Sequence, residues 1–337
     1  SPCMGAQLHR HRQHVMEPAP KCSVGIPDAR YHNDILHPCV RYVAEGFGGH
    51  QWWMVQSPHY GRDDSIEHPI LFFGDTEPDG TPPLTWHFAD VVKDSPETGY
   101  NSDPNLYFAD DRLYVLWREF RTGRVINAGY NSAIYAMAYD TFLQKQQEVF
   151  VCGTPASSPY DLADLSPIVT VHDGSISLYT LYFHREPSLV KRAVAKALQM
   201  VGCKYSVHKT VGINRLSGAS LRDMDAASKL LHFTNIGWRR PWHFDIIMFN
   251  GQMFLLVFCQ MRQNIYLAAS DGDGFRMFDR PLLPPRMLVD TYKPTGAVIG
   301  NNLYLYYTDK KDKDDPKHNE LFRYCIDLRD YMEKIRD

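Results

Sequence analysis

No stretch of this chain approaches the ~18 consecutive apolar residues that a membrane-spanning helix needs. The longest, Met253 to Cys259, is only strand-sized. An excess of one charge is missing too: 36 Lys and Arg against 39 Asp and Glu leave −3 over 337 residues. That balance gives no electrostatic reason to expect nucleic acid or an anionic membrane as partner. There is no CxxC pair, so a zinc ribbon or a thioredoxin-type site is excluded. The seven cysteines (Cys3, Cys22, Cys39, Cys152, Cys203, Cys259 and Cys325) are odd in number and irregular in spacing. A disulfide framework is therefore not expected, which leans toward a reducing compartment or a bacterial or viral source. Asn-x-Ser/Thr is absent and gives no hint of secretion. HExxH, a Walker loop, GxSxG and the Rossmann glycine pattern are absent as well. Residues 1–20 lack the apolar core of a signal peptide. They are basic, His-rich and Pro-punctuated, and are expected to form a poorly ordered N-terminal arm; localisation stays open.

What is present is apolar and aromatic. Hydrophobic residues make up 44% and aromatics 13%, led by 20 Tyr and 17 Phe. That is enough for a large core, and flat rings suit a pleated surface. One pattern recurs five times: a polar residue, usually followed by Pro, then alternating apolar residues, a turn and a second apolar run. Its anchors at 38, 104, 167, 244 and 294 lie 66, 63, 77 and 50 residues apart. The turns are Gly46 to Gly49, Asp110-Asp111, Asp173-Gly174, Asn250-Gly251 and Asn301-Asn302. Such pairs between alternating runs signal hairpins, because both central residues must reach positive φ. Pro at the head of a strand fits, since a missing N–H costs least there. Room for two further strands follows each hairpin, for example Ile70–Phe73 with Leu84–Phe88, and Ile265–Ala268 with Phe275–Phe278. Five repeats of four strands predict an all-β, five-bladed β-propeller with antiparallel blades; the alternative is a sandwich of irregular hairpins. Val190–Val201 reads as an inserted helix or an outer strand, and Asp327–Arg336 as a terminal helix. No linker appears, so residues 21–337 read as one domain.

Strand direction localises the chemistry. The residue before each inner strand and the loop after each second strand share one face around the axis. His37, His59, Tyr60, Asp64 and Glu67 fall there from the first repeat, and Asp103, Arg118 and Glu119 from the second. The third repeat adds Asp161, Asp164, Ser166, His184 and Glu186. The last two add Trp238, Arg240, Trp242, His243, Asp245, Arg262, Tyr292 and Lys293. Glycoside hydrolysis needs two carboxyls, one protonated and one ionised. Glu67 and Glu119 are the acid and base candidates, with Asp103 and Asp245 as orienting or pKa-tuning groups and Asp103 as the other candidate base. His37, Tyr60, Asp64, Arg118, Asp161, His184, Arg240, Trp242, His243 and Lys293 are candidate substrate-binding residues. The alternation of rings and cations from Trp238 to His243 suits a sugar platform. Asp271 and Asp273 look like a fragment of a calcium loop, but a third ligand and a distal Glu are lacking, so a hairpin turn is expected.

Through these repeats, with Ser102-Asp103-Pro104, Ile66-Glu67-His68-Pro69 and Pro241-Trp242-His243-Phe244-Asp245, the chain resembles the five-bladed propeller glycoside hydrolases of families 43, 32, 62 and 137. The resemblance covers about residues 37–325. It implies a glycosidase acting on a furanoside, such as an arabinofuranoside, or a related sugar. Family 43 places a base Asp at the first inner strand, where this chain has His37; Asp103 matches the second-blade position, and Glu186 is the one glutamate near the third. That departure favours another propeller family. No cofactor is required on this reading, although the resemblance allows a structural calcium on the axis. The expected partner is a carbohydrate, with no nucleic acid and no membrane span. A non-catalytic carbohydrate- or receptor-binding propeller is the alternative.

Overall fold

The computed structural model describes residues 19–121, 129–184, 188–200, 211–237, 239–260, 264–285, 290–310 and 318–335. The 1–18 part of the expected arm, Glu186, Trp238, Arg262 and the side chain of Asp161 lie outside the described residues.

The chain is all-β, and its strands come in five consecutive antiparallel groups. The first holds β2 (Cys39–Phe47), β3 (His50–Gln56), β4 (Ile70–Gly74) and β5 (Thr85–Val91). The second holds β6 (Tyr100–Ala109), β7 (Arg112–Phe120), β8 (Tyr130–Tyr139) and β9 (Lys145–Pro155). The third holds β10 (Tyr160–His172), β11 (Ser175–His184), β12 (Val211–Ser220) and β13 (Asp223–Thr234). The fourth holds β14 (Pro241–Phe249), β15 (Gln252–Cys259), β16 (Asn264–Asp271) and β17 (Gly274–Pro281). The last holds three strands among the described residues and not the expected four: β18 (Pro294–Ile299), β19 (Asn302–Lys310) and β20 (Asn319–Asp327), with only the isolated bridge of Lys21 to Phe322 beyond them. Outer strands β13 and β17 pair in parallel over three residues, joining the third and fourth groups at their edges. The two helices are α1 (Leu189–Met200) and α2 (Leu328–Lys334).

Sequence alternation explains how these sheets stack. Successive side chains of a strand point to opposite faces, and both faces here are apolar. In β3, Trp52 and Met54 join a core shared with Tyr306 and Leu321 of the last sheet, while Trp53 and Val55 join one shared with Leu106 and Trp117 of the second. Leu116 of β7 turns the other way, toward Ile176 and Leu178 of the third sheet. In β15, Leu255 and Val257 face the third sheet, and Phe254 and Leu256 face Leu303 and Leu305 of the fifth. Five apolar clusters thus fill the five gaps between neighbouring sheets. The first strands follow the same circuit: β2 packs on β6, β6 on β10, β10 on β14, β14 on β18, and β18 back on β2.

The hairpin turns carry the backbone their residues favour. Asp110 and Asp111 lie at φ 52° and 56°, and Asn250 and Gly251 at 50° and 72°. In the fifth hairpin Ile299 pairs with Asn302, so the turn is Gly300-Asn301, one residue earlier than the sequence pattern places it. Pro20 to Val24 tie the two ends of the circuit together. Lys21 bridges Phe322, the Cys22 N–H donates to the Leu321 carbonyl, and β1 (Ser23–Val24) pairs in parallel with β5.

Candidate active site

Just before or within the five inner strands lie His37, Asp103, Ser166, His243 and Lys293, and all five side chains are buried. Four of them precede a proline (Pro38, Pro104, Pro167 and Pro294), which biases the preceding residue away from the helical region. The ladders slip here, between Ser102 and Asn105, between Leu165 and Ile168, and between Pro241 and His243. Such bulges re-aim side chains. Asp103, Asp164 and Ser166 sit at φ 52°, 61° and 51°. Left-handed backbone at non-glycine residues costs about 1–3 kcal/mol each and gathers at functional sites.

The polar contacts converge on three of these residues and Glu67. His37 Nδ1 lies 3.3 Å from Glu67 Oε1, and His37 Nε2 lies 4.0 Å from Asp103 Oδ1. His243 Nδ1 is 3.1 Å from the same Asp103 oxygen. Burial alone would push the Asp103 carboxyl up, but His243, His37 and the buried ammonium of Lys293 reverse this and hold it well below the usual carboxylate range. Burial lowers the His243 imidazole to about 4, against the opposing pull of Asp103. Although both imidazoles are near, no donor is aligned on Asp103 Oδ1 among the described residues. The result is an ionised, buried oxygen without an aligned donor between two imidazoles, and one ligand atom from each of His37, Asp103 and His243 falls within 4.8 Å of the others.

That donor set bears on the central cation. Calcium takes six to eight oxygen ligands, and two imidazole nitrogens with one carboxylate do not fit it. They fit a borderline transition ion such as zinc. The surroundings orient these groups as supporting shells of metal sites do. Ser57 Oγ is 2.9 Å from His37 Nδ1, and Ser166 Oγ is 3.1 Å from His243 Nδ1. Tyr292 Oη stands 3.0 Å from His243 Nε2 and accepts the Trp242 indole N–H at 2.8 Å. His59 Nε2 lies 3.8 Å from Glu67 Oε2 and 2.9 Å from Asp64 Oδ1. Beside this group lies a cavity of about 510 Å³, lined by His59 and Tyr292 together with Arg62, Asp290 and Lys310.

The other candidates fall around or beneath this group. Glu119 accepts from Arg121 Nε at 2.7 Å and is not brought to Glu67 by any contact among the described residues. Asp245 lies one layer deeper, where both oxygens are held by Arg41 at 2.7 and 2.8 Å and Oδ2 also accepts from Thr295 Oγ1. Arg118 donates to the Ala163 carbonyl and lies over the rings of Tyr100 and Phe120. Arg240 lies over the rings of Phe183 and Trp242, and burial lowers it to about 10. Tyr60 stacks on His32, and His184 meets Tyr160 and Tyr182 edge-on. Lys293 donates to the Pro104 carbonyl at 3.4 Å. Sequence reasoning placed His59, Ser166 and Tyr292 on this face without a role. It missed Ser57, which ends β3 with nothing in its spacing to mark it.

No protein-family model matches the sequence, and no curated protein sequence matches it either. Solved structures do. An N-acetylgalactosamine deacetylase from F. plautii, solved with blood group B trisaccharide, superposes with a TM-score of 0.70 at 12% identity, over 94% of this chain and 96% of that one. A thermostable family-43 glycoside hydrolase gives 0.60 at 11% identity, over 87% and 89%. The α-L-arabinanase of Penicillium chrysogenum, complexed with arabinobiose, gives 0.53 at 13% identity, over 87% and 77%. At these identities the likeness is one of fold, and the fold is the one found in carbohydrate-active enzymes.

Proposed function

We propose that residues 21–337 form a single five-bladed β-propeller domain, and that the protein is a carbohydrate-active hydrolase whose reaction takes place at the axial hollow around Glu67 and Asp103. The observation that carries the reading is the buried Asp103 oxygen, left without an aligned donor between His37 and His243. Those three residues would hold a divalent cation. When bound, such an ion polarises a carbonyl or lowers the pKa of a water. The chain's own groups supply the remainder. Glu67 is the general base: its carboxylate borders His37 and can take the proton of an attacking water. His59, which lines the cavity, stands 3.8 Å from the second Glu67 oxygen. Tyr292 fixes the plane of the His243 ring. The bond best suited to this apparatus is a carbonyl one, the N-acetyl or O-acyl group of a substituted sugar. The deacetylase with this fold supports that choice.

Cleavage of a glycosidic bond, in a furanoside or related sugar, is the second reading. It is favoured by the placement of two carboxyls, Glu67 and Asp103, on either side of the His37 ring, and by the family-43 likeness. One experiment separates the two. The protein is incubated with 4-nitrophenyl N-acetylhexosaminides and with 4-nitrophenyl arabinofuranoside and xyloside, with zinc or manganese and with EDTA. Cation-dependent acetate release establishes deacylation. Nitrophenol release that EDTA leaves unchanged establishes the glycosidase. Neither product from any of these sugars would overturn hydrolysis at this site.

A further inference from the structure

Helix α1 is out of keeping with the rest of the fold. It is inserted between β11 and β12, and none of its described side chains belongs to the five apolar clusters. Yet eight of the twelve residues in its sequence, LVKRAVAKALQM, are apolar. Leu189, Val190, Val194 and Met200 are 74, 73, 53 and 81% exposed. These are four of the ten large apolar side chains exposed among the described residues, and the other six are scattered over five different strands and a loop. At 100° per residue, Leu189, Val190, Ala193, Val194, Ala197 and Met200 share one contiguous side. A helix of twelve residues is marginal in water unless such a face is covered.

Charge indicates what covers it. The helix contributes Lys191, Arg192 and Lys196, and no Asp or Glu occurs from Pro187 to Arg222, in a chain whose total is −3. A local block of cations beside an apolar face is complementary to an anionic lipid surface. At about 1.5 Å per residue the helix is ~18 Å long, short of the ~30 Å hydrocarbon core, so it would lie in the interface and not span it. Its position matters as well. It follows His184, which pairs with Tyr160 at the start of β10, the end of the third sheet that carries Asp164 and Ser166. The helix therefore leaves the body from the face on which the hollow opens.

We infer that α1 is an interfacial anchor that docks this face on an anionic lipid bilayer. The consequence for substrate rests on the proposed function: the hollow would then meet glycans carried at a lipid surface. The docking itself is tested without any activity. The whole protein is sedimented with vesicles of phosphatidylcholine alone and of phosphatidylcholine with phosphatidylglycerol. Binding is expected to the anionic vesicles, at least about tenfold tighter than to neutral ones, and to weaken in ~1 M salt, where screening acts within about 3 Å. Val190→Asp/Val194→Asp is expected to lose at least about tenfold in vesicle affinity while keeping the wild-type melting temperature and turnover of soluble substrates. No binding to anionic vesicles, equal binding to both kinds, or undiminished binding by the double variant would overturn the anchor. So would a wild-type dimer that the double variant converts to monomer, because α1 would then be a contact between two copies. Absence of turnover in the wild-type protein, with vesicle binding intact, would count against the hydrolase reading and leave the anchor standing.

Discussion

Two buried polar layers differ in how their carboxylates are paired. In the deeper one, Asp245 has its charge matched by the Arg41 fork and by Thr295, and its Oδ1 also accepts the Ile246 N–H. Asn105 accepts from Arg41 and from the Cys39 thiol. In the upper layer, Asp103 is just as buried but keeps an oxygen without an aligned donor, beside two imidazoles that each lean on a serine. A buried charge that is fully paired fixes a structure. A buried charge that is ionised but incompletely paired is poised to bind something. The contrast separates the residues that hold the sheets together at the axis from those available to a ligand.

Substitutions can break this contrast. The largest effect is expected at Glu67: Glu67→Gln should lower turnover by about 10²–10⁴-fold with the melting curve unchanged, measured as acetate or nitrophenol release. Wild-type turnover in that variant would remove Glu67 as the base. Asp245→Ala should do the reverse. It strands the Arg41 guanidinium and should cost about 3 kcal/mol in urea denaturation, while the folded fraction still takes up zinc. Asp103→Asn should abolish zinc uptake, read by equilibrium dialysis; if Asp245→Ala abolished it instead, the assignment of the two layers would be inverted. Tyr292→Phe removes only the hydroxyl that orients His243 and should reduce zinc affinity and turnover by about 10–100-fold. Glu119→Gln should be the mildest, because its ion pair with the partly exposed Arg121 is worth less than about 1 kcal/mol. A loss comparable to that of Glu67→Gln would place Glu119 in the chemistry.

The architecture was readable because its determinants are local. Asp-Gly and Asn-Gly turns, Pro at strand heads and period-two alternation are properties of a few adjacent residues, and β6–β7, β10–β11 and β14–β15 follow them closely. The fifth turn slipped because Gly300, Asn301 and Asn302 all tolerate turn backbone, leaving cross-strand pairing to decide. The site was legible only as a population of side chains on one face. Which of them meet depends on contacts across long separations, such as His37 with Glu67 and Asp103 with His243. Arg41, which claims Asp245, is the third residue of β2, and nothing in its spacing marks it as a partner of that carboxylate. The bulge that turns Asp103 toward two imidazoles left a trace in Asp103-Pro104, but nothing local states where the carboxylate points.

The short segment from Pro20 to Val24 has a consequence for how the molecule is made. It hydrogen-bonds at once to β5, in the first sheet, and to β20, in the last. Until Asn319–Asp327 has left the ribosome, the early half of this clasp has nothing to fasten to. Trp86, which packs against Tyr306 of β19, waits for the same partner. The gap between the first and last sheets can therefore close only after β20 has emerged. The nascent chain must carry an open apolar flank until then, a period in which chaperone capture and misassembly compete with folding.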